Sequence, residues 1–136
     1  MRTRSVILHI TVVMCLSSMG GCGDDLTGPQ GMNVAGRWTG SAIQPNGYSA
    51  TVNLQQAGTA VSGDLTIAGS MRDQPLIGTL DARSRTVAWT VADGCEVWGG
   101  TLALSADDTE LSGPLVIDRS GCASQSGSGT LRVSRR

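Results

Sequence analysis

Few side chains in this 136-residue sequence can attack a substrate, carry a proton or hold a metal. There are four cysteines (Cys15, Cys22, Cys95 and Cys122), one histidine (His9), eleven acidic residues and no lysine. Thiols offer nucleophiles, metal ligands or disulfides, and imidazole is the commonest proton carrier. The cysteines show no CxxC spacing, so a metal or redox pair is the weaker reading of Cys95 and Cys122. Asp81, Asp93, Asp107, Asp108 and Asp118 all stand in stretches with turn composition, where Asp bonds to its own backbone. Asp107-Asp108 with Glu110 has the oxygen chemistry of a calcium site, but a solvated turn accounts for it more simply. Glu96, beside Cys95, is the one acid that neither a turn nor an outer strand face absorbs. No constellation for catalysis emerges. The sequence predicts a protein that is not an enzyme and uses no metal or cofactor.

His9 and Cys15 lie in a segment that the mature chain loses. Arg2 and Arg4 give a positive start, Ser5 to Leu16 is mostly apolar, and small residues run from Ser17 to Gly21. That order is the signature of a secretory signal over residues 1–21, too short in its apolar part for the ~20 residues of a membrane span. Its removal leaves eight Arg against eleven acidic residues, a net charge of −3, and no His. Such a balance excludes nucleic-acid binding through bulk positive charge.

Outside the cytoplasm disulfides form and persist, which points Cys95 and Cys122 towards each other. If the run starting at Cys95 pairs antiparallel with the run ending at Ile117, position 95 lies opposite 119 or 120, with Cys122 just beyond. A structural bridge there would contribute ~3–4 kcal/mol on the chain-entropy model.

The elements that place these residues are strands. Residues 22–33 are polar and Gly-rich without periodicity and read as a tether; residues 34–136 form one domain. From Val34 apolar and polar residues alternate with period two. Eight runs result: Val34–Gln44, Tyr48–Gln56, Ala60–Ile67, Leu76–Asp81, Thr86–Val91, Cys95–Leu104, Glu110–Ile117 and Ser128–Ser134. Asn46-Gly47 between the first two reads as a hairpin turn. The inward faces include Trp38, Gly40 and Ala42; Ala50, Val52 and Leu54; Val87, Trp89 and Val91; and Trp98, Gly100 and Leu102.

Gly-x-Leu recurs at Gly63, Gly78, Gly100, Gly113 and Gly129, always with the glycine on the inward face. Glycine there lets a strand bend and leaves room for a large neighbour. Short connections favour an all-β, eight-stranded, antiparallel up-and-down barrel with one disulfide; an open two-sheet sandwich is the alternative.

Two motifs add resemblances. Met19-Gly20-Gly21-Cys22 resembles the lipobox of bacterial lipoproteins, which implies acylation of Cys22 and anchoring in a membrane of the cell envelope. Gly23, rather than Asp, after that cysteine implies the outer membrane. Gly36-Arg37-Trp38 resembles the G-x-W motif of the lipocalin and calycin barrels, where the Trp closes the base and an Arg of the last strand covers its ring. Arg132 is the matching candidate, with Arg135 as a substitute. The whole of Val34 to Ser134 resembles short Gly-rich lipoproteins with a lipocalin-like barrel. Full lipocalins have longer strands and a longer first loop than Pro45-Asn46-Gly47.

The resemblance implies a monomeric carrier or sensor for a small apolar ligand, lined by Val52, Leu54, Leu65, Trp89, Trp98 and Leu102. The same six residues are equally what the core of an eight-stranded barrel requires. The other reading is a protein-binding module, such as a periplasmic protease inhibitor or an envelope structural protein. It would present the N-terminal segment or the loops Ala68–Pro75 and Asp118–Gly127, with Met71, Arg72 and Asp73 in the first loop as contacts.

Overall fold

The computed structural model describes residues 31–44 and 46–136. The export segment, Cys22 and all but the last residues of the tether lie outside the described residues. Eight strands follow one another: β1 (Gly36–Gln44), β2 (Asn46–Ala57), β3 (Ala60–Ile67), β4 (Met71–Asp81), β5 (Thr86–Asp93), β6 (Glu96–Leu104), β7 (Glu110–Asp118) and β8 (Gly127–Arg135). Each pairs antiparallel with the next, and β8 returns to β1 with Gly40 opposite Val133 and Ala42 opposite Leu131. The barrel is closed and up-and-down, so the sandwich alternative is excluded. Closure leaves no strand edge with unpaired backbone, the usual hazard of a small sheet.

The period-two pattern holds except at one bulge between β3 and β4. Twenty-four apolar side chains form one buried cluster, and no charged side chain is buried with them among the described residues. Glycines decide how tightly the strands wrap around it. A β carbon on Gly63 would overlap the carbonyl oxygen of Asn53, and one on Gly100 would overlap that of Pro114. Both glycines face large partners: Gly63 stands opposite Leu54 and Leu76, and Gly100 opposite Trp89 and Leu115. The strands therefore cross at distances that only a residue without a side chain permits, and the volume is returned by the neighbour.

One end of the barrel, the base, holds the start of β1 and the end of β8. Trp38 is fully buried there, and its indole Nε1 donates to the carbonyl of Val34 at 2.9 Å. Gln56 pins the entering chain: its Oε1 accepts from Val34 N–H at 2.9 Å and its Nε2 donates to Met32 C=O at 3.1 Å. Met32 and Val34 are buried, so the packed domain begins two residues before the expected boundary.

The ring of Trp38 is covered by Arg135, whose guanidinium carbon lies 4.6 Å from the ring centroid, and not by Arg132. Strand parity explains the correction. Leu131 and Val133 point inward, so Arg132 between them points out, 63% exposed, and pairs with Glu110 at 2.9 Å. Arg135 stands directly opposite Trp38 in register and also donates to the carbonyls of Ala35 and Asn33.

Two further boundaries differ from expectation. Asn46 already pairs with Gln44, which puts Asn46-Gly47 at the start of β2 rather than between strands. β4 starts at Met71, five residues before Leu76, because a bulge absorbs the break in alternation. Between the pairs Leu65–Gln74 and Ile67–Met71, one residue of β3, Thr66, opposes two of β4, Arg72 and Asp73, and Asp73 takes φ 47°. Thr66 holds that bend: its hydroxyl accepts from Asp73 N–H and donates to the Asp73 carboxylate, both at 3.0 Å.

Three substitutions test this reading. Gly100→Ala should lower unfolding free energy by ~2–3 kcal/mol in urea titration, since backbone must move to admit the methyl group. Arg135→Ala should cost ~1 kcal/mol and Arg132→Ala less than ~0.5 kcal/mol, because a cation over a buried indole outweighs an exposed ion pair.

Candidate functional site

The six predicted lining residues are brought together inside the barrel. Val52 lies directly opposite Leu65, Leu54 faces Gly63, Val87 faces Leu102, and Trp98 faces Val91. All six are 0–6% exposed and belong to the same cluster as the rest of the core. Side chains occupy the interior, as eight strands allow, so a ligand enters only by parting them.

What distinguishes this interior from a plain hydrocarbon core is its three indoles. Among the described residues of the core cluster they are the only side chains with an N–H or O–H to satisfy. Trp38 donates to Val34 at the base, and Trp98 donates from Nε1 to Glu96 Oε2 at 2.9 Å near the opposite end, the mouth. Trp89 lies between them at mid-barrel, 2% exposed, and its Nε1 has no hydrogen-bond partner. Its cross-strand neighbours on both sides are glycines, Gly78 and Gly100, which offer no side-chain acceptor. Buried donors in native interiors nearly always find an acceptor, and one left alone costs ~1–3 kcal/mol.

The two ends are closed by different means. Met32, Val34, Trp38 and Arg135 plug the base. At the mouth the segment between β7 and β8 contributes no buried side chain. It is held instead by bonds to the β5–β6 turn. Cys95 and Cys122 form a disulfide with Cα atoms 5.3 Å apart. Arg119 Nε donates to Glu96 Oε1 at 2.6 Å, and Arg119 also donates from its backbone N–H to Ser126 Oγ and from Nη1 to Gln125 C=O. Glu96, unassigned by sequence reasoning, is thus the hub of the mouth. Its carboxyl is held below its ordinary value of 4.5, first by the Arg119 hydrogen bond and then by that of Trp98. The signal was present in Glu96-x-Trp98: residues two apart on a strand share a face, so the acid sits within reach of an indole.

Several other acids are held in local hydrogen bonds or ion pairs. Asp107 is held low by hydrogen bonds from Ser105 and then Thr109, Asp81 by Ser84 and Arg83, and Asp118 by Ser120. Asp108 pairs with Arg85 and Glu110 with Arg132, so the acids once weighed as a calcium site face separate partners. Among the described residues no three His, Cys, Asp or Glu side chains are grouped to hold a metal. In the segment Ala68–Pro75, Met71 is buried at 6%, while Arg72 and Asp73 are both exposed and Asp73 is tied to Thr66.

The outer wall carries a second feature that the sequence reading did not single out. Three of the four exposed large hydrophobic residues among those described, Ile77, Val97 and Val116, lie on β4, β6 and β7. Ile77, Thr90, Gly99 and Val116 form one cross-strand row. The outward positions 75–79, 88–92, 97–103 and 112–116 around it hold no charged residue.

The chain matches no protein-family model, no curated protein and no solved structure.

The mouth makes a pH prediction with a fixed sign. A carboxyl whose folded value is depressed stabilises the fold above its unfolded value and loses that contribution as pH falls through the folded one. Stability should therefore decline as pH falls below about 4.5. Glu96→Gln should lower the melting temperature at pH 7 and flatten that part of the acid decline, as followed by circular dichroism.

Proposed function

We propose that this protein is a lipoprotein of the bacterial cell envelope, anchored through Cys22 in the outer membrane, whose barrel takes up a small apolar molecule. The observation that carries the proposal is the unpaired Nε1 of Trp89 in an otherwise hydrocarbon interior. Apolar lining with one placed polar group is the usual composition of a small-molecule site. The mouth is the way in, because its covering segment is held by a disulfide and an ion pair rather than by packing. Met71 and Trp98, 6% and 5% exposed, are the side chains that would move first. Carriage or sensing suits a chain that keeps neither His nor Lys once residues 1–21 are removed.

A second reading rests on the outer wall. The uncharged row from Ile77 to Val116 suits a protein partner better than solvent, and favours a docking module in the envelope. With the barrel closed, such a partner binds by side chains and not by adding a strand.

Tryptophan fluorescence separates the two readings. Apolar ligands should shift or quench the emission of Trp89 and Trp98 in the folded protein. An unchanged spectrum across a broad lipid panel, with crosslinking to an envelope protein that Val116→Glu abolishes, would replace the first reading by the second. Mass spectrometry of the mature N-terminus should find an acylated Cys22; an unmodified residue 22 overturns the anchor.

A further inference from the structure

From the orphaned indole we infer the class of molecule the barrel accepts: a neutral apolar compound bearing a single hydrogen-bond acceptor, such as a ketone, ester or alcohol, with that acceptor at Trp89 Nε1. The inference rests on the carrier reading above and narrows it. Three observations lead there. First, the interior holds no charged side chain among the described residues, so an ionised head group brought inside meets no counter-charge. Second, two buried side-chain donors lack a partner among the described residues, Arg85 Nε and Trp89 Nε1, and of these Trp89 alone belongs to the core cluster, where the Nε1 atoms of Trp38 and Trp98 are already engaged. A buried carboxylate needs several donors or a cation, and one neutral N–H supplies neither. Third, the charged pair at the mouth is spoken for: Arg119 is bound to Glu96 at 2.6 Å. A carboxylate left at the mouth would meet the Glu96 carboxylate and would leave Trp89 unpaired.

A neutral acceptor reverses each of these points. A carbonyl or hydroxyl oxygen at mid-barrel satisfies the one vacant donor, and its hydrocarbon remainder lies among Leu, Val and Trp side chains. The two neighbours of Trp89, Gly78 and Gly100, bring no competing acceptor of their own. Phe would fill the position without leaving a donor, so the indole nitrogen is the feature that assigns specificity.

The test uses the full mature chain carrying Cys22→Ser, labelled with 15N at its three indoles. The probes are decane, 2-decanone and ionised decanoate. On the account given, 2-decanone moves the Trp89 indole N–H signal downfield and leaves the Trp38 and Trp98 signals in place. Decane binds ~2–10-fold more weakly, the range one neutral hydrogen bond gives, and decanoate does not bind. Trp89→Phe brings 2-decanone and decane to equal affinity, and Trp89→Tyr, if the Phe variant fails to fold, keeps a donor and with it the preference. Decanoate binding as tightly as 2-decanone, or a ketone that leaves the Trp89 signal unmoved, overturns the neutral-acceptor inference while the carrier reading stands. Binding of none of the three overturns the carrier reading itself.

Discussion

The barrel depends on strands approaching one another more closely than a β carbon allows. At Gly63 and Gly100 the neighbouring carbonyl oxygen occupies the place a side chain would take. The same collision recurs at Gly40 against Arg132 and at Gly113 against Thr101, so the constraint runs round the barrel. Each such crossing bends a strand and releases interior volume, which Leu54, Leu115, Leu131 or Trp89 then fills from the next strand. Wrapping and packing are one requirement. A sheet of this length that stayed flat would expose both borders and leave its leucines half in water.

This explains why so much of the fold is legible in the sequence. Alternation marked the inward faces, and Gly-x-Leu marked where the strands bend, because both are enforced by sterics inside a closed wall. What the sequence hid were local departures from that rule. The start of β4 is masked by an extra residue at the Asp73 bulge, where a Thr66 hydroxyl does the work of the ladder. Arg132 drew attention by its place in Leu131-Arg132-Val133, yet the parity of those two apolar neighbours turns it outward, and Arg135 covers Trp38 from the strand's last position. Met32 reads as tether because it stands among polar residues, but Gln56, 24 positions away, fixes its backbone. Long-range side-chain bonds of that kind leave no periodic trace.

The candidate site divides in the same way. Its apolar lining follows from the strand pattern and was readable. Its polar logic was not: which indole finds an acceptor depends on three-dimensional neighbours. Trp38 finds Val34 because the entering chain folds across the base, and Trp98 finds Glu96 because the two share a face near the disulfide. Trp89 stands between two glycines and finds none. Among the described residues the core cluster thus holds no charge and is left with one unmet indole donor. The rims have separate tasks: arginine and the entering chain seal the base, and the disulfide with the Glu96–Arg119 pair holds the mouth.

Closure between the first and last strands is the claim from which interior, rims and site all follow. Proton–proton nuclear Overhauser contacts across β1 and β8 measure it directly. A closed barrel gives backbone contacts from Gly40 to Val133 and from Ala42 to Leu131, with slowly exchanging amides on both strands. Absence of those contacts, with β1 amides exchanging as fast as a free edge, would contradict it.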